Sequence, residues 1–259
     1  MTMYKSTEHT VRKRIVIKLG GSTIEELSDQ FFTNFKQLQQ AGNDIIIVHG
    51  GGGAINEELA KNNVSSTVLN GIRVTTKEAV GIVQSTLIGK VNPALVHQLN
   101  KGGVPAIGLS GYDGNLLTCT ILDEALYGFV GEIQHVRTEV LDTLVGVGLV
   151  PVVSCVGAAD DGAPLNINAD TVASMVALAI KADSLLLVTD TSGIKIKENV
   201  QEVVSPTAIA QWIESGEIYG GMLPKVQAAL DCLQAGIPSV QIVGQQLEGT
   251  AIKSEEVFA

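Results

Sequence analysis

Short runs of aliphatic residues alternate along this chain with segments in which apolar residues recur every three or four positions. Strands are predicted at residues 15–19, 45–48, 104–109, 149–154, 184–189 and 240–243, and helices at 27–38, 76–91, 169–182, 206–215 and 224–235. Residues 116–122 and 128–136 are predicted to form an antiparallel excursion. The strand–helix alternation is typical of an α/β fold with a parallel sheet.

Two of the predicted strands run directly into consecutive glycines. Lys18 lies within the first strand, which ends at Gly20 and Gly21, and the second ends at His49 followed by the glycines 50–53. Glycines let backbone N–H groups approach an anion closely, and a nearby ammonium supplies full charge. The spacing matches neither the dinucleotide fingerprint nor the P-loop. We therefore predict a phosphate-binding cleft of another architecture.

Lysine and arginine side chains at two further loops could serve the same chemistry. Lys225 follows Gly220 and Gly221 at a predicted helix N-terminus, where an anion would offset its misplaced positive charge. Arg73, after the turn at Asn70, suits bidentate capture of a carboxylate. Each of these side chains, and Lys18 as well, could instead be a solvated surface residue.

The segment 165–170 combines two amides and a carboxylate before a predicted helix. Asn168 or Asp170 would cap that helix, whereas Asn166 is not needed for capping and could orient a substrate. No group of His, Cys, Asp and Glu has the spacing of a metal site, and His49 is interpreted as a structural residue at the end of its strand.

Composition limits the possible partners and location. The chain has 27 acidic and 17 basic residues, and its net charge of −10 argues against a nucleic-acid partner. Its three cysteines are far apart, which favours reduced thiols. Residues 1–14 are polar, and Gly, Asp or Lys interrupts the longer apolar stretches, so we expect neither a signal sequence nor a membrane span. These features predict a cytoplasmic protein.

Six segments resemble, in order and at suitable spacing, motifs of the amino acid kinase family. They are IVIKLGGS, IIIVHGGGG, NGIRVT, LNINAD, LLLVTDTSGI and GGMLPKVQAA, and the resemblance extends from Ile15 to Ile252. It implies an open, mostly parallel central sheet sandwiched by helices, in two lobes. Residues 1–175 would bind an acyl amino acid and form a dimer interface, and residues 176–259 would bind ATP.

The resemblance also implies a reaction, which is ATP-dependent phosphorylation of the side-chain carboxylate of N-acetyl-L-glutamate in arginine biosynthesis, with Mg²⁺. Lys18 and Lys225 would flank the transferring phosphoryl group, and Asp170 would hold both lysines in place. This chemistry needs no general base, because a carboxylate with a pKa of about 4 is already ionised at neutral pH.

The remaining site residues follow from the same resemblance. N–H groups of the glycine loops would contact phosphate oxygens and substrate, Arg73 and Asn166 would bind a substrate carboxylate, and Asp190 would lie in the ATP lobe. The glycines are Gly20 and Gly21 for the nucleotide and Gly51 and Gly52 for the substrate.

Two alternatives stay open at this stage. The chain could phosphorylate a related acid such as acetylaminoadipate, or it could be a non-catalytic sensor of nucleotides or metabolites. Many relatives have proline where this chain has Gly53, which leaves amino-acid selectivity open. Because the segment before Val11 is short for the N-terminal helix of arginine-inhibited relatives, a homodimer insensitive to arginine is expected.

Overall fold

A computed structural model describes residues 12–20, 23–24 and 27–254 of the chain. The strands are β1 (Arg14–Leu19), β2 (Asp44–His49), β3 (Val68–Leu69), β4 (Ile72–Arg73), β5 (Ala106–Leu109), β6 (Leu117–Ile121), β7 (Gly131–Val136), β8 (Val150–Ser154), β9 (Val156–Ala158), β10 (Pro164–Asn166), β11 (Ser184–Val188), β12 (Lys195–Ile196), β13 (Asn199–Val200), β14 (Val203–Val204), β15 (Ser239–Val243) and β16 (Gly249–Lys253). The helices are α1 (Asp29–Gln40), α2 (Gly52–Lys61), α3 (Lys77–Thr86), α4 (Asn92–Lys101), α5 (Glu124–Tyr127), α6 (Thr138–Gly146), α7 (Ala169–Ala179), α8 (Pro206–Glu214) and α9 (Met222–Gln234).

The central sheet has eight strands in the order β14-β16-β15-β11-β1-β2-β8-β5. All neighbouring pairs in it are parallel except β15 and β16, which are antiparallel. The expected open, mostly parallel sheet is therefore confirmed. The carboxyl ends of β1, β2, β8 and β11 meet at one edge, which is where ligands bind in open α/β sheets.

Successive side chains of β1 point to opposite faces of the sheet, and both faces are buried. Ile15, Ile17 and Leu19 pack on one side of the sheet with α1, α2, α3 and α4. Val16 packs on the other side with α6, α7, α8 and α9. Helices thus cover both faces, and the period of two places Lys18 on the same side as Val16 and α7.

A second sheet of four strands, β10-β9-β6-β7, packs beside the main one. Its β6 and β7 form the antiparallel pair expected from residues 116–136. The segment after β11, where no strand was predicted, contains the small hairpin of β12 and β13. Strands β14 and β16 were also not predicted, because at two and five residues they carry little periodic signal.

The helices α3 and α4 form one continuous run of 25 residues, Lys77–Lys101, joined by a π-helical turn at Leu87–Val91. Thr76 caps its start, since its hydroxyl accepts a hydrogen bond from the Ala79 N–H, and the predicted helix at 76–91 began at this residue. Among the described residues this run alone has the length and mean hydropathy, 1.2, of a membrane span. Leu95 and Leu99, which belong to this run, are nevertheless fully buried in the protein core.

The expected lobe boundary between residues 175 and 176 falls inside α7. The central sheet continues across it, because β1 pairs with β11. The expectation about arginine insensitivity depends on the segment before Val11, which lies outside the described residues.

Candidate active site

Lys18 is held at the carboxyl end of β1 by a carboxylate from α7. Its Nζ lies 3.0 Å from Oδ1 of Asp170, and only 16% of the Lys18 side chain is exposed. An ammonium that is largely withdrawn from water needs such a partner, because burial of an unpaired charge is costly. The ion pair explains how a lysine is tolerated in an otherwise apolar strand.

Asp170 owes its position to the N-terminus of α7. The side chain of Asn168 caps this helix, since its Oδ1 accepts hydrogen bonds from the N–H groups of Asp170, at 2.7 Å, and Thr171, at 3.3 Å. The capping role expected for Asn168 is confirmed. An acidic residue in the first turn also interacts favourably with the helix dipole.

Lys225 lies in the first turn of α9 and pairs with a different carboxylate. Its Nζ donates a hydrogen bond to Oδ1 of Asp190, which follows β11. This hydrogen bond and the lysine's charge lower the pKa of the Asp190 carboxyl below its ordinary value. The resemblance implied that Asp170 holds both lysines. In the structure Asp170 forms an ion pair with Lys18, and Lys225 forms one with Asp190 instead. The misplaced positive charge at the start of α9 is thereby offset.

Both ion pairs line one cleft of about 370 Å³ at the carboxyl edge of the sheet. Its walls include Lys18, Gly20, Asp170, Asp190 and Lys225. Two ammonium groups from opposite ends of the chain therefore face the same space. Gly21 lies outside the described residues.

A smaller pocket of about 190 Å³ opens beside the N-terminus of α7 and contains Arg73. The guanidinium donates hydrogen bonds to the Ser66 hydroxyl at 2.8 Å and to Oδ1 of Asn56 at 2.6 Å. Partial burial lowers the pKa of the Arg73 guanidinium from its ordinary value. No ion pair joins Arg73 to a carboxylate within the described part of the chain. Its charge is thus fixed in place by neutral groups.

Asn166 also lines this pocket. Its amide donates a 3.0 Å hydrogen bond to the hydroxyl of Thr75, which in turn donates at 2.8 Å to the carbonyl of Arg73. The side chain of Asn166 and the backbone of Arg73 are therefore tied into one network. The pocket combines a fixed cation with a fixed amide, which suits a ligand that carries a carboxylate.

The second glycine loop lines the same pocket. Gly51 is the N-cap residue of α2 and Gly52 its first residue, and no side chain caps this helix. The first N–H groups of a helix have no partner within the helix, so an uncapped N-terminus is favourable for an anion. At Gly51 a Cβ would lie only 2.7 Å from Leu87 Cδ2, so glycine is required there for space.

A third and much larger cavity, of about 1160 Å³, adjoins the cleft. It shares Thr189 and Asp190 with the cleft and extends to Tyr219 and Gly244. Its volume is that of a site for a large organic ligand. On its other flank the cleft borders the small pocket containing Arg73, since Asp170 of the cleft directly follows Ala169 of that pocket. The cleft with the two lysines therefore connects the small pocket to the large cavity.

The structure brings together every described residue for which a site role was expected. The cleft contains Lys18, Gly20, Asp170, Asp190 and Lys225, and the small pocket contains Gly51, Gly52, Arg73 and Asn166. Sequence reasoning missed Asn56 and Ser66, which hold Arg73. Asn56 could have been found, because it lies one helical turn after Gly52, whereas Ser66 carries no local signal.

The described histidines and cysteines do not line either the cleft or the large cavity. His49 is fully buried, and burial lowers the pKa of its ring to about 4. Burial raises the pKa of the Cys119 thiol to about 11 and also that of Cys155. No group of three or more metal-binding side chains occurs among the residues that the structure describes.

The fold is that of the amino acid kinase family, and the chain belongs to this family. The family's model, described as "Amino acid kinase family", matches residues 13–244. The expected resemblance is thus confirmed, and the protein is an enzyme of the phosphotransferase class.

Individual relatives narrow the similarity further. The chain is 43% identical to the acetylglutamate kinase of Halalkalibacterium halodurans over 254 residues, covering 95% of this chain and 98% of that protein. It is also 43% identical to the acetylglutamate kinase of Geobacillus kaustophilus, over 94% of this chain and 97% of that protein. Among solved structures, smu.665 from Streptococcus mutans has a TM-score of 0.81 at 34% identity, covering 93% and 98% of the two chains.

Proposed function

We propose that this enzyme transfers the γ-phosphoryl group of ATP to the side-chain carboxylate of N-acetyl-L-glutamate. A carboxylate oxygen attacks the γ-phosphorus, the bond to the oxygen bridging the β- and γ-phosphates breaks, and the products are ADP and an acyl phosphate. The observation that carries the proposal is the location of Lys18 and Lys225 in one cleft between two pockets of different size. Relatives of the same length that are named acetylglutamate kinase support the choice of substrate.

The two lysines address the main difficulty of this reaction, which is that both reactants are anions. Ammonium groups on either side of the phosphoryl group would lower the repulsion and stabilise charge in the transition state. Asp170 keeps Lys18 oriented, and Asp190 keeps Lys225 oriented until phosphate oxygens replace it as the partner. No general base is required, because the attacking carboxylate is already ionised.

The small pocket fits the acceptor, whose second carboxylate would meet Arg73 and Asn166. The N–H groups of Gly51 and Gly52 would hold the reacting carboxylate and the phosphoryl oxygens next to it. The large cavity beyond Asp190 fits the nucleoside of ATP, and Gly20 lies at the phosphates between them.

Mg²⁺ is proposed to enter with the nucleotide. Asp170 and Asp190 both line the cleft and are well exposed, which suits an ion that keeps several waters and phosphate ligands. Bound there, Mg²⁺ would neutralise negative charge on the phosphates. These two carboxylates are the described residues best placed to hold it, directly or through water.

The two-lobe division is part of the proposal. Every described residue lining the acceptor pocket precedes position 175, and those lining the nucleotide cavity follow position 176, with Ser28 as the exception. This distribution supports an acyl-amino-acid lobe at 1–175 and an ATP lobe at 176–259. We also propose a cytoplasmic homodimer without nucleic-acid or membrane partners, on the strength of the family resemblance and the net charge of −10.

The experiment that tests the activity traps the acyl phosphate as a hydroxamate. Purified protein, Mg-ATP and hydroxylamine are incubated with N-acetyl-L-glutamate, with N-acetyl-L-2-aminoadipate or with unacylated L-glutamate. The proposal expects hydroxamate with N-acetyl-L-glutamate at a kcat/KM at least tenfold above the other two. Preference for the aminoadipate derivative would change the substrate, and nucleotide binding without any product would indicate a sensor.

A further inference from the structure

The ring of His49 is completely enclosed, yet both of its nitrogens are hydrogen-bonded. Nε2 lies 2.9 Å from the amide nitrogen of Asn92, and Nδ1 lies 2.8 Å from the carbonyl oxygen of Gly50. Because the amide nitrogen can only donate, Nε2 must accept, so the proton of the neutral ring is on Nδ1 and is donated to Gly50. The amide of Asn92 at Nε2 therefore determines that the ring donates a hydrogen bond from Nδ1 to Gly50.

Asn92 is itself held in place by the sheet and by an unusual helical turn. Its second amide hydrogen is donated to the carbonyl of Val152 on β8, at 2.9 Å. It begins α4 directly after the π-helical turn Leu87–Val91. π-helical turns are rare and are frequent at functional sites, because they displace side chains from their regular positions. Here the displaced turn also packs against Gly51 through Leu87.

These contacts determine the direction of the peptide groups in the glycine loop. The carbonyl of Gly50 is held by the His49 ring, and the N–H of Gly50 lies 3.4 Å from the carbonyl of Leu19 on β1. The Gly50 carbonyl and the Gly51 N–H belong to the same peptide group, so the hydrogen bond from His49 also fixes the direction of the Gly51 N–H. Gly51 and Gly52 line the acceptor pocket.

We propose that His49 and Asn92 are positioning residues for the acceptor, acting through the Gly50 carbonyl to aim the N–H groups of Gly51 and Gly52 at the reacting carboxylate. This inference rests on the proposed function for its substrate. Neither side chain touches the pocket, so the effect is transmitted through the loop. The glycine loop does not line the large cavity proposed for the nucleoside, which provides most of the contacts to ATP, so the affinity for ATP should change little.

The test compares variants that remove or keep the hydrogen bond to Gly50. His49→Leu removes the hydrogen bond to Gly50, and Asn92→Leu removes the amide that fixes the ring making it. His49→Asn keeps an amide donor near the place of Nδ1. We expect the two leucine variants to raise KM for N-acetyl-L-glutamate at least tenfold and to leave KM for ATP within twofold. His49→Asn should restore the acceptor KM to within about threefold of the original enzyme.

Ser154→Ala is the matched control. Its hydroxyl is buried and donates to the Leu109 carbonyl, so the substitution removes a buried hydrogen bond right beside His49 on the sheet but leaves the hydrogen bond from His49 to Gly50 in place. A merely structural role for His49 would lower the amount of active enzyme and leave both KM values as in the control. If His49→Leu behaves like Ser154→Ala in both KM values, the inference is wrong while the proposed function stands.

Amide NMR keeps the inference testable if the original enzyme proves inactive on every acceptor. The ¹⁵N–¹H signals of Gly51 and Gly52 should shift in His49→Leu and return toward their original positions in His49→Asn. The ¹⁵N shifts of the His49 ring should show a protonated Nδ1 and an unprotonated Nε2. An Nε2-protonated ring, or unchanged glycine signals in His49→Leu, would overturn the inference whatever the activity.

Discussion

Lys18 and Asp170 form a 3.0 Å ion pair between the central strand of the sheet and the first turn of a helix far along the chain. The period of two along β1 places the lysine on the α7 side of the sheet, and the Asn168 cap fixes the end of α7 that carries Asp170. A second pair, Lys225 with Asp190, faces the same cleft. The proposed chemistry depends on this convergence.

Replacement of either lysine by alanine should reduce turnover far more than stability. We expect kcat for Lys18→Ala and Lys225→Ala to fall about 100- to 1,000-fold, because each removes a charge aimed at the transferring phosphoryl group. Lys225 is a quarter exposed and its partner largely so, so its ion pair adds at most about 1 kcal/mol to the free energy of unfolding. Steady-state kinetics and urea unfolding measure the two effects separately.

The exposed Lys181 offers a control at a site outside the three pockets. Lys181→Ala should leave kcat within twofold of the original enzyme. Equal losses of kcat and stability in Lys225→Ala would indicate a structural lysine and contradict its proposed role.

Arg73→Lys should weaken acceptor binding specifically. Lysine keeps the charge but cannot hold Ser66, Asn56 and a carboxylate together as the planar guanidinium can. Loss of one hydrogen bond between charged groups corresponds to about a tenfold rise in KM for N-acetyl-L-glutamate. The KM for ATP should stay unchanged, and a parallel rise in both constants would show that Arg73 does not act at the acceptor.

The glycines of the second loop should respond to alanine in opposite ways. A Cβ at Gly53 would meet no atom within 4 Å, so Gly53→Ala should raise the free energy of unfolding by about 0.5–1 kcal/mol. A Cβ at Gly51 would clash with Leu87, so Gly51→Ala should lower it by about 1–3 kcal/mol and impair turnover. Urea denaturation measures the free energy of unfolding of both variants. A stabilising Gly51→Ala would contradict the packing of Gly51 against Leu87.

Buried His49 should make the fold sensitive to mild acid. Its pKa is about 4 when folded and 6.5 when unfolded, so only the unfolded chain takes up a proton between these values. The effect is absent above pH 6.5, grows as pH falls, and levels off below about pH 4. At pH 5 it amounts to about 2 kcal/mol, since each pH unit is worth about 1.4 kcal/mol.

Urea unfolding at pH 7 and pH 5 measures this effect by comparison with His49→Asn. The loss of stability on acidification should be about 2 kcal/mol smaller in the variant, because its amide does not titrate. An identical loss in the two proteins would show that His49 is not the group responsible.

Local sequence patterns were sufficient for most of the layered fold. Alternating and helical periodicity located the central strands and the main helices, and the Thr76 and Asn168 caps follow from local chemistry. The hairpin β12–β13 and the short strand β14 could not be predicted in this way. Their two-residue strands depend on pairing partners elsewhere in the chain, and so do not show in a local window.

The candidate site was predictable in its residues but not in its pairing. Lysines beside glycine loops can be recognised in the sequence, because an ammonium in an apolar strand or at a helix N-terminus is unfavourable unless an anion is bound nearby. Which carboxylate faces which lysine depends on where β11, α7 and α9 lie in three dimensions. For this reason the assignment of Asp190 to Lys225, like the support of Arg73 by Ser66, required the structure.

The central claim is that one phosphoryl group is transferred between the two lysines. Its most direct test is a crystal structure with Mg-ADP, N-acetyl-L-glutamate and tetrafluoroaluminate, a planar mimic of the transferring group. We predict that the fluorides lie within about 3 Å of the Nζ atoms of both Lys18 and Lys225, with the acceptor on the Arg73 side. A mimic bound next to only one of the lysines, or outside the cleft that they share, would contradict the account.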